Sequence, residues 1–223
     1  MNRKQHNILI LVLGSLTAIG PFSIDMYLPG FPAIARDLQT DISHVALSLT
    51  SYFIGISIGQ LAYGPLLDRY GRKKPVVAGL LIYIVAAFGC GLAPTIHWLV
   101  AMRFVLAIGS CVGIVAARAI VRDLFPINEM ARIFSTLMLV LGISPIIAPT
   151  VGAYVADIYS WRLIFAVLAA IAIFILYAVI RYLPESRPAD ASISLRPLQI
   201  LREYVGVVKN REFITYGLAS AAA

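Results

Sequence analysis

The chain has 223 residues, of which 60% are hydrophobic and only 13% are charged. One soluble globule of that length cannot bury so much apolar surface, so an ordinary soluble domain is excluded and a bilayer is the natural solvent. The net charge of +7 would suit nucleic acid, but the 18 Lys and Arg residues form no single patch.

A helix needs about 20 apolar residues to cross a hydrocarbon layer of roughly 30 Å. Six runs of that kind occur, near Ile8 to Ala35, Val45 to Leu67, Pro75 to Ala93, Trp98 to Ile120, Ile133 to Tyr154 and Leu163 to Tyr182. Helices are expected because backbone polar groups in lipid must pair within their own segment, and no ten-residue alternation suggests a barrel. The first run follows a short basic stretch, as a secretory signal would. It is too long for a signal core and no small-residue cleavage site follows it, so it reads as an uncleaved first span.

Asp25 lies near the middle of that run, where a carboxylate costs at least about 2.5 to 3.5 kcal/mol on insertion scales. It reads as a proton carrier facing a cavity, or more plainly as the cap of a turn before Pro29; intramembrane charge in general favours the first. Cys90 and Cys111 fall inside the third and fourth runs and read as small apolar packing residues. Arg103 stands about four residues into the fourth run, where it either snorkels to the surface or serves a buried function. The fifth run contains Ser144, Pro145, Ala148, Pro149 and Gly152, a pattern that bends a helix and lets a neighbour approach closely.

Beyond Tyr182 the sequence turns polar, basic and proline-containing. The expected organisation is a six-helix bundle over 1–183, a cytoplasmic linker over 184–212, and an incomplete seventh helix over 213–223. Fifteen of the 18 cations then flank spans on the side of the N-terminus, against Arg36 and Arg162 on the other side and Arg103 within a span. The positive-inside rule therefore puts both chain ends in the cytoplasm, and the same charges leave no case for a nucleic-acid partner. A weak echo joins Gly64, Asp68, Tyr70 and Arg72 to Gly152, Asp157, Tyr159 and Arg162. A second joins Asp25-Met-Tyr-Leu-Pro29 to Asp123-Leu-Phe-Pro126. Both support an inverted repeat of three spans plus three.

The loop Gly64-Pro-Leu-Leu-Asp-Arg-Tyr-Gly-Arg-Lys73 is the most specific feature. Topology-setting charge accounts for its cations but not for the spacing. The loop resembles the major facilitator superfamily's signature between helices two and three, which Gly64, Leu66, Asp68, Arg69, Gly71, Arg72 and Lys73 match. The resemblance implies an all-α membrane fold, here the six-helix N-terminal bundle. It also implies a conformational latch of Gly64, Asp68, Arg69, Gly71, Arg72 and Lys73 with Arg118 and Asp123 at the end of helix four. Arg103 and Gly109 are similar to the family's helix-four motif for proton coupling, although Leu106 stands where Gln is usual. On this reading Asp25 and Arg103 pair to carry the proton. Ser144, Pro145, Ala148, Pro149 and Gly152 resemble the antiporter motif of helix five in degenerate form.

Over the whole chain the resemblance is closest to the bicyclomycin-resistance branch of drug:proton antiporters. It implies a multi-pass protein of the cell inner membrane that exports drug-like small molecules, driven by the proton gradient and with no cofactor or metal. Its partners would be the lipid bilayer, a small-molecule substrate and a C-terminal six-helix half. Phe22, Tyr27, Tyr52, Met138 and Ser144 are the substrate-cavity candidates, with ordinary helix packing as the plainer alternative. A sugar or nutrient symporter is the rival, since Leu183-Pro-Glu-Ser186 is similar to the end of helix six in sugar porters; a non-transporting scaffold is the second. No paired His ligands, Cys cluster or Walker-type loop points to an enzyme.

Overall fold

The computed structural model describes residues 3–193, 195, 200, 204–206 and 215. Its elements are α1 (Arg3–Asp25), a 3-10 turn (Leu28–Gly30), α2 (Phe31–Asp37), α3 (Ile42–Tyr70), α4 (Lys73–Gly91), α5 (Ile96–Leu124), α6 (Ile127–Ile158) and α7 (Trp161–Tyr182). Among the described residues six segments are long and apolar enough to cross a membrane, with α1 and α2 together forming the first. The linker expected over 184–212 lies only partly within the described residues, and the expected start of a seventh helix lies almost wholly outside them.

Local chemistry explains where the helices begin. The Asp41 carboxylate accepts from His44 N at 2.7 Å, Thr95 Oγ1 from Trp98 N at 3.3 Å, and Ser160 Oγ from Arg162 N at 3.2 Å. Each satisfies a backbone donor that has no partner within its own helix.

The first span departs from the single run expected from hydropathy. Pro29 and Pro32 lack an N–H, so regular i to i−4 bonding cannot continue through them. The Tyr27 amide turns to Ile24 O at 3.2 Å and Gly30 N to Tyr27 O at 3.0 Å, which makes the 3-10 turn between α1 and α2. In contrast, α6 continues through Pro145 and Pro149 as one helix of 32 residues.

The bundle is organised around α5, which packs chiefly against α3 and α4 and then against α1. Lipid tails are as apolar as leucine, so close backbone approach rather than hydrophobic contrast drives this association. Gly109 shows how close: a Cβ there would lie 2.6 Å from Tyr83 N and 2.8 Å from Gly79 O. Large apolar side chains such as Val85, Ile146 and Phe174 point outward, as a lipid-facing surface requires.

Candidate functional site

Arg103 is the largest fully buried side chain in the structure, with no measurable exposure. Its Nη1 donates to Ser23 O at 2.9 Å, and its guanidinium lies 4.2 Å from the Tyr27 ring centroid and 4.3 Å from that of Tyr52. The charge is therefore held between two aromatic faces, an arrangement that offsets part of its desolvation. Ser23 O is free to accept because the Tyr27 amide that a regular helix would send to it bonds Ile24 O instead. Thus the break in the first span and the capture of Arg103 are one local event.

Hydroxyls complete the surroundings. Tyr27 Oη meets Ser48 Oγ at 2.6 Å, Tyr52 Oη meets Ser110 Oγ at 2.9 Å, and Ser23 Oγ meets Tyr83 Oη at 2.6 Å. These bonds join α1, α3, α4 and α5 and the turn after α1 around one cation. Arg103 Nε and Nη2 remain without acceptors among the described residues. Two such donors in an apolar interior are costly and leave the guanidinium able to donate to a further polar group.

The expected ion pair between Asp25 and Arg103 is not formed. Asp25 ends α1, is partly exposed, and has no ion pair among the described residues, while Arg103 reaches the backbone two residues earlier. The physical reason is the 3-10 turn, which presents a carbonyl to the guanidinium where a continuous helix would have none free. Tyr27 and Tyr52 are likewise wholly buried partners of Arg103 rather than walls of an open cavity. Phe22 lines a cleft of about 310 Å³ with Ser15, Ala18, Leu168 and Phe174. Met138 is about half exposed and Ser144 is buried with no partner for its hydroxyl among the described residues, so the five cavity candidates do not converge.

At the end of the bundle holding the α3–α4 connection, the loop residues form a dense ionic cluster. Arg72 donates through Nε to Asp123 Oδ2 and through Nη1 to Asp68 Oδ1, both at 2.7 Å. Burial pulls the Arg72 guanidinium down, but Asp123 and Asp68 outweigh it and hold it above its ordinary value. Gly71, at φ +83°, turns the chain so that Arg72 faces these acids. Lys73 Nζ reaches Ile180 O at 2.8 Å and Arg69 Nη1 reaches Ile193 O at 2.6 Å. Arg118 lines a cavity of about 450 Å³ with Gly64, Asp68, Arg72 and Asp123.

Sequence reasoning missed Glu185. Its carboxylate accepts from Arg72 N at 2.5 Å and from Lys73 N at 3.2 Å, and so caps α4 from the far end of the chain. Ser186 Oγ adds a bond to Asp123 Oδ2 at 3.2 Å, and Arg187 Nη1 lies 3.4 Å from Asp68 Oδ1. The available signal was Leu183-Pro-Glu-Ser186, which stood out in sequence only as a resemblance to sugar porters. In α6, a Cβ at Gly152 would overlap the Met26 carbonyl, so the small residue sets the crossing with the first span.

A family profile described as Major Facilitator Superfamily matches residues 13–223. "Uncharacterized MFS-type transporter YdgK" of Bacillus subtilis is 36% identical over 96% of this chain and 54% of its own length. "Bicyclomycin resistance protein homolog" of Haemophilus influenzae is 32% identical over 99% of this chain and 56% of its own. Among solved structures, the proton:xylose symporter XylE superposes with a TM-score of 0.74 at 14% identity, over 83% of this chain and 46% of that one. That likeness concerns the fold alone. The chain spans about half the length of the curated relatives it matches.

Proposed function

The chain belongs to the major facilitator superfamily, and on that premise we propose that it forms the N-terminal half of a proton-coupled antiporter that exports drug-like small molecules by alternating access. The observation that carries this reading is Arg103, a cation wholly inside the bundle with two donors unmet among the described residues. A charge at that depth is expensive and is kept where it serves an ion or substrate pathway. The Haemophilus influenzae relative named for bicyclomycin resistance favours a drug-like cargo.

In this reading Arg103 holds the break of the first span, and Asp25, at the end of α1, loads and unloads the proton without touching it. Loading a carboxylate changes the local charge balance, and the break is where that change alters backbone geometry. The Arg72 cluster acts as the latch whose outer surface meets the C-terminal half, a wet interface of breakable charge pairs. The small residues and prolines of α6 shape the antiporter helix. The first 183 residues act as one bundle, the following segment links it to the second half, and the whole lies in the cell inner membrane with its N-terminus in the cytoplasm.

Transport by the complete protein in proteoliposomes with an imposed pH gradient tests the reading. Asp25→Asn should abolish uphill export while leaving downhill movement of the same drug. Undiminished proton-driven accumulation by Asp25→Asn would overturn it.

A further inference from the structure

At the end of the bundle opposite Arg72, a second cluster joins three elements. Asp37, the last residue of α2, accepts from Arg162 Nη1 and, through Oδ2, from Trp161 Nε1 at 3.0 Å. Arg162 also donates through Nη2 to Ala93 O at 2.9 Å, beyond the end of α4, and its guanidinium lies 4.3 Å from the Trp161 ring centroid.

This arrangement is the reciprocal of the Arg72 cluster. Arg72 precedes the third helix of the first three-span unit and grips Asp123 at the end of the first helix of the second unit. Arg162 opens the third helix of the second unit and grips Asp37 at the end of the first span of the first unit. The accessory contacts are exchanged as well: Lys73 reaches the Ile180 carbonyl near the end of α7, and Arg162 reaches the Ala93 carbonyl after α4. The counterpart of Asp123 in space is therefore Asp37, not Asp25 as the sequence echo suggested. Asp157, the echo of Asp68, is exposed and has no ion pair among the described residues; the Trp161 indole stands where a second acid would.

The two clusters differ in exposure. The Arg72 side chain is 5% exposed and Asp123 16%, whereas Arg162 is 36% exposed and Asp37 48%. Half-exposed pairs are weak and quickly broken. What Asp37 restrains is also distinctive: α2 is seven residues long and follows the 3-10 turn at Leu28–Gly30, whose Gly30 packs over Trp161 and Ile164. A short rigid element with a proline-containing turn at one end and one exposed ionic contact at the other has the geometry of a lever.

We propose that α2 is a gating lever of the face opposite the Arg72 cluster, and that Asp37, Trp161 and Arg162 form its releasable latch. This rests on the alternating-access reading above. When the latch opens, α2 pivots at Gly30 and draws Phe31 away from the Tyr27 ring, 5.0 Å from it between centroids, next to the Arg103 site. Asp37 and Arg162 are thus positioning residues, acting on the site through α2.

Two measurements on the complete protein in lipid nanodiscs and proteoliposomes decide the matter. In hydrogen exchange, Arg162→Gln should raise exchange of the amides at 31–38 about fivefold or more and leave those of α5 unchanged, the mark of local opening. Equal rises in both would indicate general destabilisation, and no rise would mean that Arg162 restrains nothing; either overturns the lever. In transport, Asp37→Cys with Arg162→Cys should remain active until the two thiols are joined by a short disulfide-cleavable cross-linker, stop when joined, and recover on reduction. Wild-type rates in the joined state would overturn the latch. Absence of drug export by the wild type would instead sink the antiporter reading, while the exchange measurement would still decide whether α2 is latched.

Discussion

Arg103→Met separates a functional charge from a structural one. The substitution keeps a long, flexible side chain while removing the guanidinium. Lost with it are the bond to Ser23 O, about 1.5 to 3 kcal/mol for a charged donor, and two ring contacts that together amount to about 1 to 4 kcal/mol. Against these stand the desolvation of a fully buried cation, about several kcal/mol, and two unmet donors at about 1 to 3 kcal/mol each. The opposing terms are of similar size, so Arg103→Met should fold about as well as the wild type, with a Tm in detergent within about 5 °C of it. The same variant should no longer couple drug movement to a pH gradient, because the charge held at the proline-made break of the first span is gone. Thermal denaturation and vesicle transport, measured on one preparation, check both halves of the expectation. A fall in Tm of more than about 10 °C would refute the reasoning, since Arg103 would then be a net structural support. Retained coupling would refute it from the other side.

Other perturbations test the neighbouring contacts. Glu185→Gln keeps the shape of the α4 cap but removes its charge, and should lower stability by about 1 kcal/mol; an unchanged Tm in a low-salt buffer would count against the cap. Gly71→Ala meets both a positive φ and a Cβ 2.8 Å from Glu185 Oε2, and should cost about 1 to 3 kcal/mol and loosen the Arg72 cluster. Thermal denaturation of Gly71→Ala beside Gly142→Ala, a site where a Cβ meets nothing within 4 Å, isolates the effect. Gly152→Ala places a methyl against the Met26 carbonyl and should separate α1 from α6, with a loss of about 1 to 3 kcal/mol and a change in the transport rate. A Gly152→Ala protein equal to wild type in both respects would show that this crossing is not tight.

Several features of the molecule were legible in one dimension. Span number followed from the length and apolarity of each run, since a bilayer imposes nearly the same requirement on every helix that crosses it. Membership of the family was readable from Gly64 to Lys73, because that loop needs a positive-φ glycine and several charges within a few residues of one another, and such constraints leave a compact pattern. The meeting of Arg72 with Asp68 could be anticipated for the same reason: the two lie four residues apart on either side of the tight turn that Gly71 makes.

Contacts between distant segments were not legible, because sequence spacing says little about which helix ends meet. Glu185 caps α4 across 113 positions, and Asp37 meets Arg162 across 125. Asp25 and Arg103 were expected to pair because their charges are opposite and both lie within apolar runs. Tertiary structure instead directed the guanidinium to Ser23 O, since a proline-forced change of helix type freed that carbonyl and aromatic rings filled the space on either side. The sequence by itself thus determined the solvent, the number of spans and the family. Only the folded bundle decided which partner each buried or terminal charge would find, because burial leaves a charged group just those acceptors that packing brings within about 3 Å.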